Sequence, residues 1–221
     1  MKVKICGITN LEDALVAAEA GADYLGFIFY PPSKRSITPE AAQEIVSHLR
    51  RLPTCPLLVG VFVDETADHM AHILDTCQLD LAQLSGSEVP YLVGDERSPI
   101  YGRAYKALRP TTLAEAEAEA EWYTPPLLHE GQPALLMDTY HPSLPGGTGE
   151  TGDWYIGAQL AQTVPRFMLA GGLTAVNVAT ASQQVQPYAV DVASGVEARP
   201  GKKDPALVRA FIQKAKGMAA P

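Results

Sequence analysis

The sequence predicts an α/β protein of the (β/α)8, or TIM, barrel class, on three observations. Short runs rich in Val, Ile, Leu and Phe alternate with helix-like segments from one end to the other. The runs lack clean polar alternation, as expected of strands buried on both faces in a parallel sheet covered by helices. Eight such units fit within 221 residues, the scale of a compact barrel. An open doubly wound sheet is the alternative. No linker and no sequence repeat is visible, so residues 1–221 read as one barrel domain.

The first strand, Val3–Ile8, is β-branched and apolar and carries Cys6 before Gly7. Tyr24–Phe29, Leu57–Val63, Leu79–Leu84, Ala104–Leu108, Ala134–Asp138, Arg166–Ala170 and Ala189–Val192 follow as strands two to eight. The helices between them fall at Asn10–Ala20, Pro39–Leu49, Thr66–Cys77, a Pro-interrupted piece near Glu88–Val93, Thr112–Trp122, Trp154–Gln162, Ala175–Ser182 and Pro205–Lys216. Start signals support several of them. Thr38 precedes Pro39 at the first helical position, Asp64 or Glu65 precedes Thr66, and Asp204 precedes Pro205. The Ala/Glu run at 115–121 combines strong helix formers and puts several Glu on a solvated arc.

Composition narrows the function classes. At 47% hydrophobic and 19% charged the chain is ordinary globular protein. A net charge of −8 and a pI near 5.1 repel a nucleic-acid backbone or an anionic membrane, so any anionic ligand has to be held locally. Glu12, Asp13, Glu19 and Asp23 exclude a signal-peptide core, and the longest apolar run, Leu57–Val63, is too short to span a bilayer. A cytoplasmic protein, monomer or homodimer, is expected. Cys6, Cys55 and Cys77 have no CxxC spacing and read as free thiols.

In a parallel barrel the working face is the C-terminal end of the strands. There the sequence places Cys6-Gly7, Ser33-Lys34-Arg35, Asp64, Gln83, Lys106 and Arg109, Asp138, Gly171-Gly172, and Asp191 followed by Ser194-Gly195. The turns "AGGLT" (170–174) and "ASGVE" (193–197) stand after strands seven and eight, the usual phosphate-binding position of this fold. Glycine lets backbone N–H groups approach an anion, and a helix from Thr174 would add its positive end. The loop "PGGTGETGDW" (145–154) is no P-loop, because Leu144 and Glu150 stand where Gly and Lys are required. With Thr148, Thr151 and glycine hinges it reads as a βα lid. Cys6 and Asp138, at the ends of strands one and six, can face each other across one mouth as an acid–base pair. His69 and His72 have metal-like i, i+3 spacing but no third ligand within reach, so no metal is expected.

"KICGIT", "GFIFYPPSKRSIT", "VGVFVD", "LDLAQLSGSE", "YKALRP", "LLMDTY…PGGTGETGDW", "FMLAGGLTAVNV" and "AVDVASGVEARPGKKD" occur in order from residue 4 to about 204. In these motifs the chain resembles the phosphoribosylanthranilate isomerases. The resemblance implies a (β/α)8 barrel catalysing an Amadori rearrangement of a small phosphorylated substrate in tryptophan biosynthesis, without cofactor or metal. It implies Cys6 as general base, Asp138 as general acid, Arg35 as partner of the anthranilate carboxylate, and Asp191 as a pocket residue; Gln83, by its place in strand four, is a further substrate-binding candidate. Phosphate would fall to backbone around Gly171, Gly172, Ser194 and Gly195. By its place beside Cys6, Gly7 reads as clearance for substrate. The chain departs from the family pattern at Ser85 (usually His), Glu150 (usually Lys) and Ala193 (often Ser). An isomerase of an aminoimidazole ribonucleotide would carry Asp in place of Cys6, and a non-catalytic phospho-ligand sensor would have lost Cys6 or Asp138.

Overall fold

The computed structural model describes residues 1–139 and 154–217. Eight parallel strands form a closed barrel: β1 (Lys2–Cys6), β2 (Tyr24–Ile28), β3 (Leu57–Phe62), β4 (Leu81–Leu84), β5 (Ala104–Leu108), β6 (Leu135–Asp138), β7 (Met168–Ala170) and β8 (Ala189–Val192). β1 pairs with β8 from Lys2↔Ala189 to Ile5↔Val192, which closes the ring and overturns the open-sheet alternative. Helices α1 (Leu11–Glu19), α2 (Pro39–Leu49), α3 (Ala67–Thr76), α4 (Tyr91–Gly94), α5 (Leu113–Tyr123), α6 (Trp154–Thr163), α7 (Val178–Val185) and α8 (Pro205–Ala215) follow the strands in turn. The lid reading of residues 145–153 lies outside the described residues.

Local chemistry moves several boundaries from their expected places. β4 opens at Leu81 rather than Leu79 because Gln78 turns left-handed and the Leu79 N–H returns to the Leu74 carbonyl, closing the end of α3. Thr66, not Asp64 or Glu65, caps α3, its hydroxyl accepting from the His69 N–H. α7 begins at Val178 and not at Ala175, because the Asn177 side chain accepts from the Thr174 N–H and donates to the Gly172 carbonyl, holding 174–177 as a turn. The Pro-interrupted piece becomes the single turn α4. One feature had no counterpart in the strand reading: an antiparallel hairpin of β9 (Glu197–Arg199) and β10 (Lys202–Lys203), joined through Pro200-Gly201.

Strand parity sorts the side chains into two cores. Val3, Ile5, Leu25, Phe27, Leu58 and Phe62 point outward into the helix layer. Tyr24, Val59, Leu81, Tyr105, Leu136, Met168 and Ala189 fill the barrel interior. Lys2 closes the N-terminal end, its ammonium 5.7 Å from the Tyr24 ring and 5.9 Å from that of Tyr188. Lys4, Cys6, Gly26, Gln83, Asp138 and Asp191 share the inward parity and stand toward the opposite mouth.

Candidate active site

Cys6 is the last residue of β1 and is buried. Across from it on β2 stands Gly26. A Cβ at Gly26 would lie 2.8 Å from the Cys6 Sγ and 3.1 Å from the Lys4 Nζ, so a side chain there would displace both groups. Lys4 is two residues earlier on β1, fully buried, and its Nζ is 3.0 Å from Oδ1 of Asp191 on the adjoining strand. Burial works against the Lys4 charge, but Asp191, Cys6 and Tyr105 outweigh it and hold the ammonium above its ordinary pKa. Burial pushes the Cys6 thiol up; Lys4 opposes that, Asp191 adds to it, and Lys203 opposes it.

Arg35, after β2, reaches the same corner. Its Nε and Nη2 donate to the two carboxylate oxygens of Glu197 at 2.8 and 2.7 Å, a bidentate pair. The Glu197 carboxylate also accepts from the Lys203 Nζ at 3.1 Å and the Gly201 N–H at 3.3 Å. Burial works against the Glu197 charge, but Arg35 and Lys203 more than offset it and its pKa is lowered. The bond to Glu197 raises Arg35, and burial lowers the Lys203 ammonium despite Glu197 and Cys6. Gly7 is left-handed at φ 77°, and a Cβ there would meet the Arg35 Cδ at 2.8 Å. The clearance beside Cys6 is thus taken by the Arg35 side chain rather than left for substrate.

Asp138 ends β6 at the opposite side of the mouth, half-buried, with one carboxylate oxygen 3.7 Å from the Arg109 Nε. Arg109 Nη1 donates to the Ser85 carbonyl at 3.4 Å. On the floor between, Tyr105 donates to Gln83 at 3.0 Å and the Gln83 amide donates to the Ser85 hydroxyl at 3.0 Å. Lys106, by contrast, is not in the mouth. It has outward parity and bonds Glu88 at 2.9 Å together with the Gly86 and Leu84 carbonyls. Asp64 accepts from the Ser87 N–H, so it ties loops together behind the rim.

The two glycine turns lie against each other. Gly171 and Gly172 are left-handed at φ 95° and 60°. A Cβ on Gly195 would collide with the Leu173 carbonyl oxygen, so only glycine allows the β7 and β8 turns to pack this closely. Ser194 opens a 3₁₀ turn, Ser194–Val196, and no helix starts at Thr174.

Sequence reasoning passed over Lys4, Glu197 and Lys203. A lysine between Val3 and Ile5 within the strand "KVKIC" is an unusual burial and was the available signal for the first. Pro200-Gly201 between charged neighbours was the turn signal for the other two.

A closed parallel barrel whose C-terminal rim gathers a thiol, a carboxylate, an arginine and two glycine turns falls in the class of (β/α)8 barrels with an acid–base site for a small anionic ligand. The family model described as N-(5'-phosphoribosyl)anthranilate (PRA) isomerase matches residues 3–214, and the chain belongs to that family. The N-(5'-phosphoribosyl)anthranilate isomerase of Pelobacter propionicus is 47% identical over 217 residues, 98% of this chain and 96% of that protein. The crystal structure of the Thermotoga maritima phosphoribosyl anthranilate isomerase superposes with a TM-score of 0.85 at 40% identity, covering 99% of this chain and 100% of that one. A phosphoribosyl anthranilate isomerase in complex with reduced 1-(o-carboxyphenylamino)-1-deoxyribulose 5-phosphate gives 0.82 at 38% identity, with the same coverage.

Proposed function

We propose that this chain converts N-(5-phosphoribosyl)anthranilate to 1-(o-carboxyphenylamino)-1-deoxyribulose 5-phosphate with Cys6 as general base and Asp138 as general acid. The observation that carries the reading is the placement of these two groups, at inward parity on the ends of β1 and β6, around the mouth of a barrel of this family. Asp138 protonates the ribose ring oxygen and the ring opens to a Schiff base. Cys6 takes the proton from sugar carbon 2, and the enolamine tautomerises to the ketose. Each transfer contributes about 10²–10⁴-fold.

Arg35, held in position by Glu197, presents its remaining guanidinium edge to the substrate carboxylate. The backbone of Gly171, Gly172, Ser194 and Gly195 receives the phosphate, which suits a chain with a net charge of −8 and no basic patch demanded of it. Gln83 and Asp191 act below the substrate, on Ser85 and Lys4. The residues need no metal or cofactor for these steps. Three free thiols suit a reducing compartment such as the cytoplasm, and among the described residues no helix is long and apolar enough to cross a membrane. The Thermotoga maritima relative is described as dimeric; for this chain a monomer or homodimer is proposed.

The test is loss of substrate fluorescence with Cys6→Ala and Asp138→Asn. Each is expected to lower kcat by at least about 10²-fold with little change in stability, and to fail to restore growth of a tryptophan-requiring strain. A near-wild-type rate in either variant overturns the role given to that residue.

A further inference from the structure

Lys4 has no part in the acid–base scheme, yet it is a fully buried ammonium next to the reacting thiol. Strand geometry puts it there. Lys4 and Cys6 are two apart on β1 and so share the inward face, and Gly26 on β2 leaves the one space into which both the thiol and the ammonium project. Asp191, in register with Lys4 on β8, accepts a hydrogen bond from the ammonium at 3.0 Å, and the ammonium's charge acts on the sulfur beside it. We infer that Lys4 is a positioning residue of the reaction, its ammonium pinned by Asp191 beneath Cys6 so that it stabilises the thiolate form that takes the carbon-bound proton.

The charges around the sulfur fit this role. Lys4 on β1, Arg35 after β2 and Lys203 on β10 face it as cations, Asp191 on β8 and Glu197 on β9 as carboxylates, and Tyr105 on β5 as a neutral phenol. Three cations against two carboxylates leave one positive charge, which the thiolate neutralises. Asp138 stands across the mouth on β6. In the low-dielectric interior that balance counts for more than it would in water. The thiol loses its proton to solvent at the mouth, the thiolate accepts the proton of carbon 2, and Lys4 keeps its own throughout. Burial pushes the thiol up, and without such a cation it would be pushed further.

The inference rests on Cys6 being the base, and its test reads the sulfur without turnover. The rate of Cys6 alkylation by iodoacetamide is followed against pH in the full chain, by mass spectrometry of the peptide carrying Cys6, for wild type, Lys4→Met, Lys4→Arg and Asp191→Asn. In Lys4→Met the pH midpoint is expected to rise by about one unit or more, a roughly tenfold slower alkylation at pH 7. Lys4→Arg is expected to stay near wild type. Asp191→Asn is expected to shift the midpoint downward, because the ammonium is left to the sulfur alone. The rising limb of kcat/KM against pH follows the same shifts. An unchanged midpoint in folded Lys4→Met, even with activity lost uniformly across pH, overturns the inference. If Lys4→Met does not fold, an unchanged or upward midpoint in Asp191→Asn overturns it. An inactive Cys6→Ala with these shifts absent rejects Lys4 alone; an active Cys6→Ala rejects the base assignment.

Discussion

Two buried lysine–carboxylate pairs in this barrel look alike and do different things. Lys4–Asp191 closes at 3.0 Å and Lys106–Glu88 at 2.9 Å, and all four side chains are almost sealed from solvent. Lys4 is at inward parity, bonds Asp191 and stands beside the Cys6 thiol. Lys106 is at outward parity, and its donors are used on Glu88 and the carbonyls of Leu84 and Gly86. Glu88 in turn accepts from the N–H groups of Asp64 and Gly86, so this second pair is a clamp on the loops after β3 and β4. Burial and ion pairing alone do not mark a functional lysine; the face of the strand decides.

The largest expected effect breaks the clamp. Lys106→Met leaves Glu88 as an uncompensated buried carboxylate, which costs about 3–5 kcal/mol. Urea unfolding measures it, and adding Glu88→Gln should recover a good part of the loss, since a Gln oxygen still accepts from Asp64 and Gly86. The pH profile of the folded Lys106→Met enzyme should match wild type. A shifted profile would show that the outer pair also reaches the thiol and would erase the distinction between the two lysines.

A pair of glycines sharpens the same contrast. Gly26 and Gly60 lie on neighbouring strands at opposite parity. A Cβ at Gly60 meets the Phe62 ring at 2.7 Å and the Leu79 side chain at 3.3 Å, in the outer core. A Cβ at Gly26 meets the Cys6 sulfur and the Lys4 ammonium. Overpacking costs about 1–3 kcal/mol at either position. Only Gly26→Ala should also lower kcat, by about 10²-fold, because it displaces Cys6, the proposed base, from its line to the substrate. Steady-state kinetics beside thermal unfolding separates the two.

Legibility from sequence follows the same division. The barrel was readable because Val, Ile and Leu runs recur between capped helices, and Cys6 and Asp138 drew notice at the ends of apolar strands, with Arg35 in the loop after the second. Lys106 was misplaced in the mouth because proximity to a strand end says nothing of parity until the register is known. Lys4 was passed over, since the sequence cannot show what a lysine inside an apolar strand pairs with until Asp191, 187 residues away, is known to face it. Glu197 and Lys203 were missed because a three-residue strand and a two-residue strand carry too little pattern to be seen. Gly7 was read as open space for substrate because sequence cannot show that Arg35 folds back over it.

Glu197 gives the smallest effect, and its pH dependence is the most specific. Glu197→Gln puts an N–H donor against Arg35 or Lys203 while keeping one acceptor, so the loss at pH 7 should be about 1.5 kcal/mol, the low end for a hydrogen bond to a charged group. Arg35 loses its bidentate anchor, and KM should rise about tenfold with kcat nearly unchanged if Arg35 holds the substrate carboxylate in both ground and transition states. The folded-state pKa of Glu197 is lowered, so its charge contributes stability that is complete above the unfolded value of about 4.3 and is lost as pH falls through the lower folded value. The gap in stability between wild type and Glu197→Gln should therefore hold from neutrality down to about pH 5 and close below about pH 4. Lys4→Met should instead shift the thiol midpoint upward, by removing the cation that opposes burial. A gap unchanged below about pH 4 would mean that the Glu197 charge adds no stability beyond what Gln supplies, and that its bond to Arg35 serves substrate binding alone.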